Sequence, residues 1–239
     1  MTQIKLSKRL SAIASLIPSS GGVIDVGTDH GFIPVWLLQN GHKGKVLATD
    51  INPEPLENAI NTAIEYGLVN DISFHLCDGL KGVCDKEFHN IVIAGMGGET
   101  IIDILSCALW TSLPDRTLIL QPMTKSDELR RWLSNNLYKV SAERLVDDGR
   151  IYEIMRVTGG SDTAYSPAEL YTGHTALISS DPLYPRRLDE LTAKFKRVSE
   201  GLENSEKPEN AKRQSRLNAL LEDLQQKKAQ LSNLEVHNA

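Results

Sequence analysis

Short apolar runs alternate with longer segments of helical spacing over the first two thirds of the chain. The runs are Val-, Ile- or Leu-rich, close near Gly, Asp or Pro, and span residues 23–26, 45–50, 72–76, 90–94 and 117–121. Near-continuous apolar runs are typical of strands buried on both faces, as in a parallel sheet covered by helices. Residues 53–66 and 100–109, which lie between the runs, have helical spacing.

Two later runs predict an antiparallel edge. Residues 138–145 and 151–158 flank Asp147, Asp148 and Gly149, and an Asp-Gly pair between strand-like runs favours a tight hairpin. The alternating strands and helices with this terminal hairpin predict a doubly wound α/β domain with a mostly parallel sheet of seven strands. We expect this domain to span residues 1–160.

The pattern changes after residues 159–161, which read Gly-Gly-Ser. Leucines and other apolar residues then recur at alternating spacings of three and four, at Leu183, Leu188, Leu191, Phe195, Val198 and Leu202, and at Leu217, Leu220, Leu224, Leu231 and Leu234. Lys227 interrupts the second stripe, and a polar stretch at 203–210 separates the two. Residues 161–239 are therefore predicted to form an antiparallel coiled-coil hairpin. Two separate helices packed on the first domain are the alternative.

Composition excludes several classes of protein. Lys and Arg number 26 and Asp and Glu 31, for a net charge of −5, which excludes a polybasic binder but not a local basic face. The three cysteines, Cys77, Cys84 and Cys107, contain no CxxC pair, so neither a disulfide scaffold nor a four-cysteine zinc site is expected. We predict no metal.

No apolar run approaches the roughly 18 residues that a membrane span needs. The basic start followed by apolar residues could imitate a signal peptide. Its apolar residues nevertheless fall on one helical face, at Ile4, Leu10, Ile13, Ala14 and Ile17. We therefore predict an amphipathic first helix and a cytoplasmic protein without a membrane partner.

A glycine-rich turn follows the first predicted strand. It carries Asp25, Gly27, Asp29, His30 and Gly31, with three residues between the glycines instead of the GxGxxG spacing of dinucleotide sites. Glycines allow a ligand to approach the backbone closely. Two carboxylates would repel a pyrophosphate, whereas the ammonium, sulfonium and hydroxyl groups of S-adenosylmethionine suit acidic walls.

Acidic residues also follow the next two strands. Asp50 closes the second strand, where a carboxylate can accept hydrogen bonds from ribose hydroxyls. Asp78, between Cys77 and Gly79, follows the third strand and could meet an adenine amino group. Each aspartate alone is more typical of a turn or a helix cap. Together at one sheet edge they favour a ligand site.

The fourth strand ends in Ala94, Gly95, Met96, Gly97 and Gly98. A backbone-lined pocket here could position a ring nitrogen without a strong base, because proximity and orientation supply much of the rate. Met96 could pack against a flat base, although a core methionine is the simpler interpretation.

Five segments carry a resemblance to a known family. They read, in order, Ser-Lys-Arg-Leu at 7–10, Val-Gly-Thr-Asp-His-Gly-Phe-Ile-Pro at 26–34, Ile-Ala-Gly-Met-Gly-Gly at 93–98, Leu-Ile-Leu-Gln-Pro at 118–122 and Ile-Tyr-Glu-Ile at 151–154. The chain resembles the bacterial tRNA (adenine-N1)-methyltransferases that modify adenine 22. The resemblance implies a Rossmann-like class I methyltransferase domain, an S-adenosylmethionine cofactor, a tRNA substrate and a C-terminal coiled coil that helps to hold tRNA.

The resemblance also assigns residues to two pockets. The implied cofactor pocket contains Arg9, Asp25, Gly27, Asp29, His30, Gly31, Asp50, Ile51, Cys77, Asp78, Gly79, Ala94, Gly95 and Gln121. The acceptor pocket is predicted at Gly95, Met96, Gly97, Gly98 and Gln121. The N1 atom of adenine has an in-plane lone pair, so no general base is obligatory. Asp29 is the one catalytic candidate, with cofactor binding alone as its alternative role.

Basic residues cluster in the last part of the chain. Residues 186–228 carry 11 basic and 8 acidic side chains, a local charge of +3. The candidate RNA contacts are Lys5, Lys8, Arg186, Arg187, Lys194, Lys196, Arg197, Lys212, Arg213 and Arg216. A solvated coiled-coil surface explains the charges equally well.

Two other functions remain open at this stage. One is a methyltransferase of the same fold that acts on another acceptor, such as a small molecule or a protein. The other is a non-catalytic nucleotide-binding or RNA-binding module whose helices dock a partner. A monomer is expected, because an intramolecular hairpin covers its own apolar stripe.

Overall fold

The computed structural model of the chain describes residues 2–83, 86–203 and 208–237. Cys84 and residues 204–207 of the predicted polar linker lie outside the described residues. The chain divides into two compact units, Met1–Thr163 and Ala164–Ala239. No helix in the described ranges combines the length and the apolar character needed to cross a membrane.

The first unit contains a sheet of seven strands. They are β1 (Gly22–Val26), β2 (Val46–Asp50), β3 (Ile72–Leu76), β4 (Phe88–Gly97), β5 (Thr117–Thr124), β6 (Tyr138–Asp147) and β7 (Ile151–Gly159). The order across the sheet is β3-β2-β1-β4-β5-β7-β6. The neighbours from β3 to β5 pair in parallel, whereas β7 is antiparallel to both β5 and β6. The predicted doubly wound, mostly parallel sheet with an antiparallel edge is confirmed.

Helices cover both faces of this sheet. They are α1 (Lys8–Leu16), α2 (Phe32–Gln39), α3 (Pro53–Glu65), α4 (Gly98–Ser106) and α5 (Ser126–Asn135). One core cluster joins Ile13 of α1 and Ile33 of α2 to Val23, Val92 and Ile119 of the strands. A second cluster joins Ala63 of α3 to β2 and β3, and it lies on the same face because Val23 pairs with Val46 and Val46 with Ile72. The crossover from β4 through α4 to β5 runs in the opposite direction across the sheet, which places α4 on the other face. Since the central strands are covered on both sides, all five residues of β1 and of β2 are buried.

Two helices differ from the sequence patterns that predicted them. The segment predicted at 100–109 starts two residues earlier, and α4 ends at Ser106 before a single 3-10 turn at Leu109–Ser112. The amphipathic first helix is α1, but it spans only Lys8–Leu16, so Ile4 and Ile17 of the predicted apolar face lie outside it. Its N-terminus is capped by the Ser7 hydroxyl, which accepts the Leu10 N–H at 3.3 Å.

The second unit contains two short helices followed by a helical hairpin. They are α6 (Glu169–Thr172), α7 (Thr175–Ile178), α8 (Tyr184–Glu203) and α9 (Pro208–His237). Gln214 donates to Ser199 at 2.6 Å and Lys228 pairs with Asp189, so α8 and α9 run antiparallel. In the described parts of the two helices, the buried apolar residues are Tyr184, Leu188, Leu191, Phe195, Leu217, Leu220 and Leu224. The side chain of Leu234 lies outside the described residues.

From its position in the sequence, Lys227 is expected only to interrupt the apolar stripe. In the structure it binds neighbouring polar groups. Its side chain is buried, donates to Thr175 Oγ1 at 2.7 Å and lies 3.5 Å from Glu169 and 3.8 Å from Asp223. Burial favours the neutral form of Glu169, but backbone N–H donors of Ser166 and Thr175 and the Lys227 ammonium lower its pKa to about 2. Lys227 therefore links α9 to α6 and α7 within this unit.

Candidate active site

A cavity of about 620 Å³ opens at the carboxyl edge of the parallel strands. Gly27 after β1, Asp50 at the end of β2, Asp78 after β3 and Gly95 in β4 all line it. The strand order reverses direction between β1 and β4, and ligands of open α/β sheets bind at such a switch point. The topology thus brings together strand ends that are far apart in sequence.

Carboxylates line this cavity at two neighbouring strand ends. Asp50 is buried, and its Oδ1 accepts the Asn52 N–H at 3.0 Å, which leaves Oδ2 for a ligand. Asp78 is exposed, and its Oδ2 accepts from Lys81 Nζ at 2.6 Å. Cys77, whose pKa is raised by burial, donates weakly from its thiol to the Gly79 carbonyl at 3.4 Å. A polar group that binds Asp78 would share it with Lys81.

The turn after β1 depends on glycine at two positions. Gly27 has φ +67°, and a Cβ there would lie 2.2 Å from Met96 Cε. Gly31 has φ +66° and immediately precedes α2, and a Cβ there would lie 3.0 Å from Ala59 Cβ. Asp29 between them also has a positive φ, +54°, a conformation that non-glycine residues seldom adopt and that recurs at functional sites. This tight backbone places Asp29 at the cavity.

A second cavity of about 300 Å³ adjoins the first. The two share Gly27, Asp29, Ala94 and Gly95. The remaining lining residues of the smaller cavity are Arg9, Leu10, Asp25, Thr28, His30, Phe32, Ile33 and Met123. Two ligands could therefore meet at the shared residues, one in each cavity.

Asp25 is a buried carboxyl group in the smaller cavity. Burial raises its pKa to about 7, and the charge of Asp50 adds to the rise. The Thr28 hydroxyl opposes this effect because it donates to Asp25 Oδ2 at 2.7 Å. A cation bound nearby would favour the ionised form, so the group can change its charge on ligand binding near neutral pH.

Arg9 connects α1 to the sheet and to the β6–β7 turn. Its Nη1 donates to Gln121 Oε1 at 2.7 Å, and its backbone N–H donates to Asp148 Oδ2 at 3.2 Å. This backbone donor lowers the pKa of Asp148. The Arg9 guanidinium lies 5.6 Å from the centre of the Tyr152 ring. Gln121 is buried and lines neither cavity, so it acts on the site by holding Arg9.

The predicted acceptor residues separate into two groups. Gly95 lines both cavities and Met96 lines the larger one. Gly97 precedes α4 and Gly98 begins it, and neither lines a cavity. A Cβ on Gly98 would lie 2.4 Å from the Lys125 carbonyl oxygen, so this glycine permits close packing of α4 on the segment after β5.

The candidate RNA contacts are mostly exposed. Lys5 and Lys8 are exposed next to Arg9, and Arg187 is half-buried. The exposed members in the second unit are Arg186, Lys194, Lys196, Arg197, Lys212, Arg213 and Arg216. At about 100° per residue, Arg186, Arg187, Lys194 and Arg197 fall within a sector of roughly 100° on α8, whereas Lys196 falls outside it. The four residues form one basic face, called the α8 basic face below.

Several lining residues of the larger cavity were missed by the sequence reasoning. They are Val26, Thr49, Asn52, Pro55, Leu80, Lys81, Thr100, Asp103, Ile104, Cys107 and Ala108. Some follow strand-end aspartates within three residues. Those at 100, 103, 104 and 107 have the spacing of one helix face, a signal that could have identified the α4 wall. In the described ranges no group of three or more His, Cys, Asp or Glu could hold a metal ion.

The residues of the larger cavity fit S-adenosylmethionine. Asp50 has an oxygen available to hydroxyls, and Ile51, Leu80 and Ile104 provide apolar surface for a flat base. Asp29 offers a carboxylate to a cationic group, while Gly27 leaves open the space that a Cβ would take. An adenosine with a positively charged tail matches this combination.

Comparison with known proteins gives a consistent result. A family described as "Methyltransferase domain" matches residues 6–155. The tRNA (adenine(22)-N(1))-methyltransferase of Bacillus subtilis (strain 168) is 33% identical over 175 residues, 72% of this chain and 74% of the relative. The crystal structure of the B. subtilis M1A22 tRNA methyltransferase TrmK superposes with a TM-score of 0.84 at 26% identity, covering 95% of this chain and 100% of that one. M. capricolum TrmK in complex with S-adenosyl-homocysteine gives a TM-score of 0.78 at 25% identity, covering 92% and 98%.

Proposed function

The chain belongs to the methyltransferase-domain family and, within it, to the bacterial tRNA (adenine(22)-N1)-methyltransferases, and we propose that it transfers a methyl group from S-adenosylmethionine to N1 of an adenine in tRNA. The observation that carries this proposal is the pair of adjoining cavities that share Gly27, Asp29, Ala94 and Gly95 at the sheet's switch point. Adenine 22 is the proposed position, because the B. subtilis relative bears it in its name.

The larger cavity is the proposed cofactor site. When bound there, S-adenosylmethionine supplies an electrophilic methyl group on a sulfonium sulfur. Asp50 accepts hydrogen bonds from the ribose hydroxyls, and Asp78 accepts one from the adenine amino group. Gly27 and Asp29 hold the methionine end together with Asp25 and Arg9, which line the adjoining cavity.

The smaller cavity is the proposed entrance for the acceptor base. His30 and Phe32 line it with exposed rings that stack on each other, 5.2 Å apart and 14° from parallel. An adenine extruded from the tRNA could stack on this pair, since aromatic side chains commonly hold flipped or unstacked bases. Gly95 then limits the distance between base and cofactor, because it lines both cavities.

The chemistry requires positioning more than proton transfer. The N1 lone pair of adenine lies in the ring plane and can attack a methyl group directly, and the product is a cation whose amino proton can leave afterwards. Orientation and desolvation by the chain therefore supply most of the rate. Asp29 is the one candidate base, because its carboxylate borders both cavities.

The two parts of the chain have separate proposed tasks. Residues 1–160 bind the cofactor and perform the transfer. Residues 161–239 hold tRNA through exposed basic residues of α8 and α9, and Lys5 and Lys8 assist from the first domain. We propose that the protein acts as a monomer in the cytoplasm, with no metal and no membrane partner.

The experiment that tests the function is methyl transfer from labelled S-adenosylmethionine to an unmodified tRNA transcript, followed by nucleoside analysis. Labelled 1-methyladenosine is expected, and a transcript with guanosine at position 22 should remain unlabelled. Label in both transcripts would support methylation of adenine in tRNA but would assign it to a position other than 22. Unlabelled tRNA, together with measurable cofactor binding, would favour another acceptor or a non-catalytic RNA-binding module.

A further inference from the structure

We propose that Arg150 binds a phosphate of the tRNA nucleotide that enters the smaller cavity. The inference rests on the proposed function and deepens it, because it adds a contact between the catalytic unit and the tRNA backbone. Arg150 follows the Asp148-Gly149 turn between β6 and β7 and begins neither strand. It lines neither cavity and belongs to none of the motifs considered above.

The guanidinium of Arg150 is held in place by neighbouring groups. It lies 4.7 Å from the centre of the Tyr152 ring, close enough for a cation–π contact. Its Nη2 lies 3.4 Å from both the carbonyl oxygen and the Sδ atom of Met123, which lines the smaller cavity. The charge is therefore positioned beside the wall of that cavity before any ligand arrives.

The same guanidinium is exposed and has no acidic partner within the described residues. The guanidinium of Arg9 contacts the same Tyr152 ring and hydrogen-bonds to neutral Gln121, so two cations flank one aromatic side chain. Asp148 lies close enough to Arg9 for the two charges to interact, whereas Arg150 is exposed to solvent. An anion that approaches from solvent can therefore bind Arg150.

A phosphate is the anion that best fits Arg150. The planar guanidinium of arginine can bind two phosphate oxygens at once. Arg150 is exposed, which suits a ligand that arrives from solvent. Arg9 lines the cavity and is the arginine better placed for a carboxylate of the cofactor, whereas Arg150 contacts Met123 and is exposed to solvent. A base extruded into the smaller cavity necessarily brings its own phosphates to the rim.

The test compares Arg150→Gln with Arg144→Gln in the full-length chain. Arg144 is an exposed arginine on β6 of the same hairpin, where it donates to Ser15 Oγ at 2.9 Å. The association constant for tRNA is measured over a series of salt concentrations. Loss of one phosphate contact should make the slope of log K against log salt shallower by about 0.7–0.9 in Arg150→Gln, with no change in Arg144→Gln.

Kinetics provide the second measurement. Arg150→Gln should raise KM for tRNA about tenfold, as expected for a lost charge-assisted hydrogen bond, with an unchanged Kd for S-adenosylmethionine. Arg150→Lys should recover part of both effects, because it keeps the charge. An unchanged salt slope, in a wild type that methylates tRNA, would overturn this inference alone. A weaker cofactor Kd would assign the guanidinium to the cofactor's carboxylate, and a wild type inactive on tRNA would overturn the proposed function instead.

Discussion

Burial changes the protonation of the Asp25 carboxyl group in a way that its sequence motif does not indicate. Its position after a buried strand identifies it as a candidate ligand contact, but the rise of its pKa from 3.8 to about 7 comes from desolvation in the folded chain. Thr28, three residues later, supplies the hydroxyl that partly opposes the rise. The group consequently holds a proton in the cofactor-free protein over most of the mildly acidic range.

Asp25→Asn should remove a pH dependence of stability. The pKa of Asp25 is higher in the folded chain than in the unfolded one, so its contribution to the free energy of unfolding is full below pH 4 and is lost as the pH rises to about 7. Relative to the wild type, the variant should therefore gain about 2 kcal/mol between pH 5 and pH 7. Urea unfolding without cofactor at both pH values measures this.

Asp103→Asn provides the control, because it changes an exposed carboxylate at the larger cavity. Its stability difference from the wild type should stay constant between pH 5 and pH 7. The interpretation of Asp25 fails if the pH profile of Asp25→Asn runs parallel to that of the wild type.

Phe32→Leu should impair tRNA methylation while it leaves cofactor binding intact. The change keeps apolar volume but removes the ring that stacks on His30. Base stacking on an aromatic side chain is worth about 1–3 kcal/mol, so kcat/KM for tRNA should fall at least about fivefold. Phe32→Tyr should retain the wild-type value, and Leu137→Ala, at another exposed apolar residue, should have no effect. Equal rates for Phe32→Leu and Phe32→Tyr would contradict the stacking role.

Among the elements, the edge hairpin and α5 are joined by a buried ion-pair network. Arg130 of α5 is 1% exposed and donates to Glu143 of β6 at 2.8 Å and to Glu153 of β7 at 2.9 Å. The network connects the antiparallel edge, which carries Arg150 and Tyr152, to the helix that covers it. One guanidinium therefore holds two buried carboxylates, and both contacts depend on Arg130.

Arg130→Met should destabilise the fold by about 3–5 kcal/mol, because Glu143 and Glu153 would lose the buried guanidinium that both contact. Thermal or urea unfolding measures the loss. Arg131→Met changes an exposed neighbour on the same helix and should stay within about 0.5 kcal/mol of the wild type. Replacing both glutamates by leucine in the Arg130→Met background should recover much of the loss, and an unchanged loss in that triple variant would argue against the ion-pair explanation.

This network also shows which part of the fold the sequence pattern could not predict. The strands β1, β2 and β4 each contain a short, nearly continuous apolar run because helices cover both sheet faces, so their pattern is visible in the chain. Helix α5 has a short apolar stripe at Leu129, Trp132 and Leu133, but it buries the charged Arg130 as well. Its buried arginine is accommodated by carboxylates that arrive from two later strands. No local pattern contains that information.

In the whole molecule, the site residues that could be predicted from sequence are those that the sheet topology alone brings together. Asp50, Asp78 and Gly95 follow or end parallel strands, so their common edge can be inferred once the sheet is predicted. The contact of Arg9 with Gln121 joins residues 112 positions apart, and its bond to Asp148 joins residues 139 apart. The smaller cavity depends on Arg9, and the place of Arg150 depends on the adjacent Met123 and Tyr152. Long-range packing determines both, and spacing along the chain does not reveal it.

The distribution of charge over α8 leads to the last prediction. Lys194 belongs to the α8 basic face, whereas Lys196 is exposed about 200° away around the helix axis. Lys194→Gln and Lys196→Gln therefore remove the same charge from the same helix and differ in direction. Lys194 also lies 5.4 Å from the centre of the Phe195 ring, a contact that Lys194→Gln removes as well. If the α8 basic face binds tRNA, Lys194→Gln should make the salt slope of tRNA association shallower by about 0.9, and Lys196→Gln should leave it unchanged. Cofactor affinity should stay constant in both. Equal slope changes in the two variants would mean that net charge, not a defined face, attracts the tRNA.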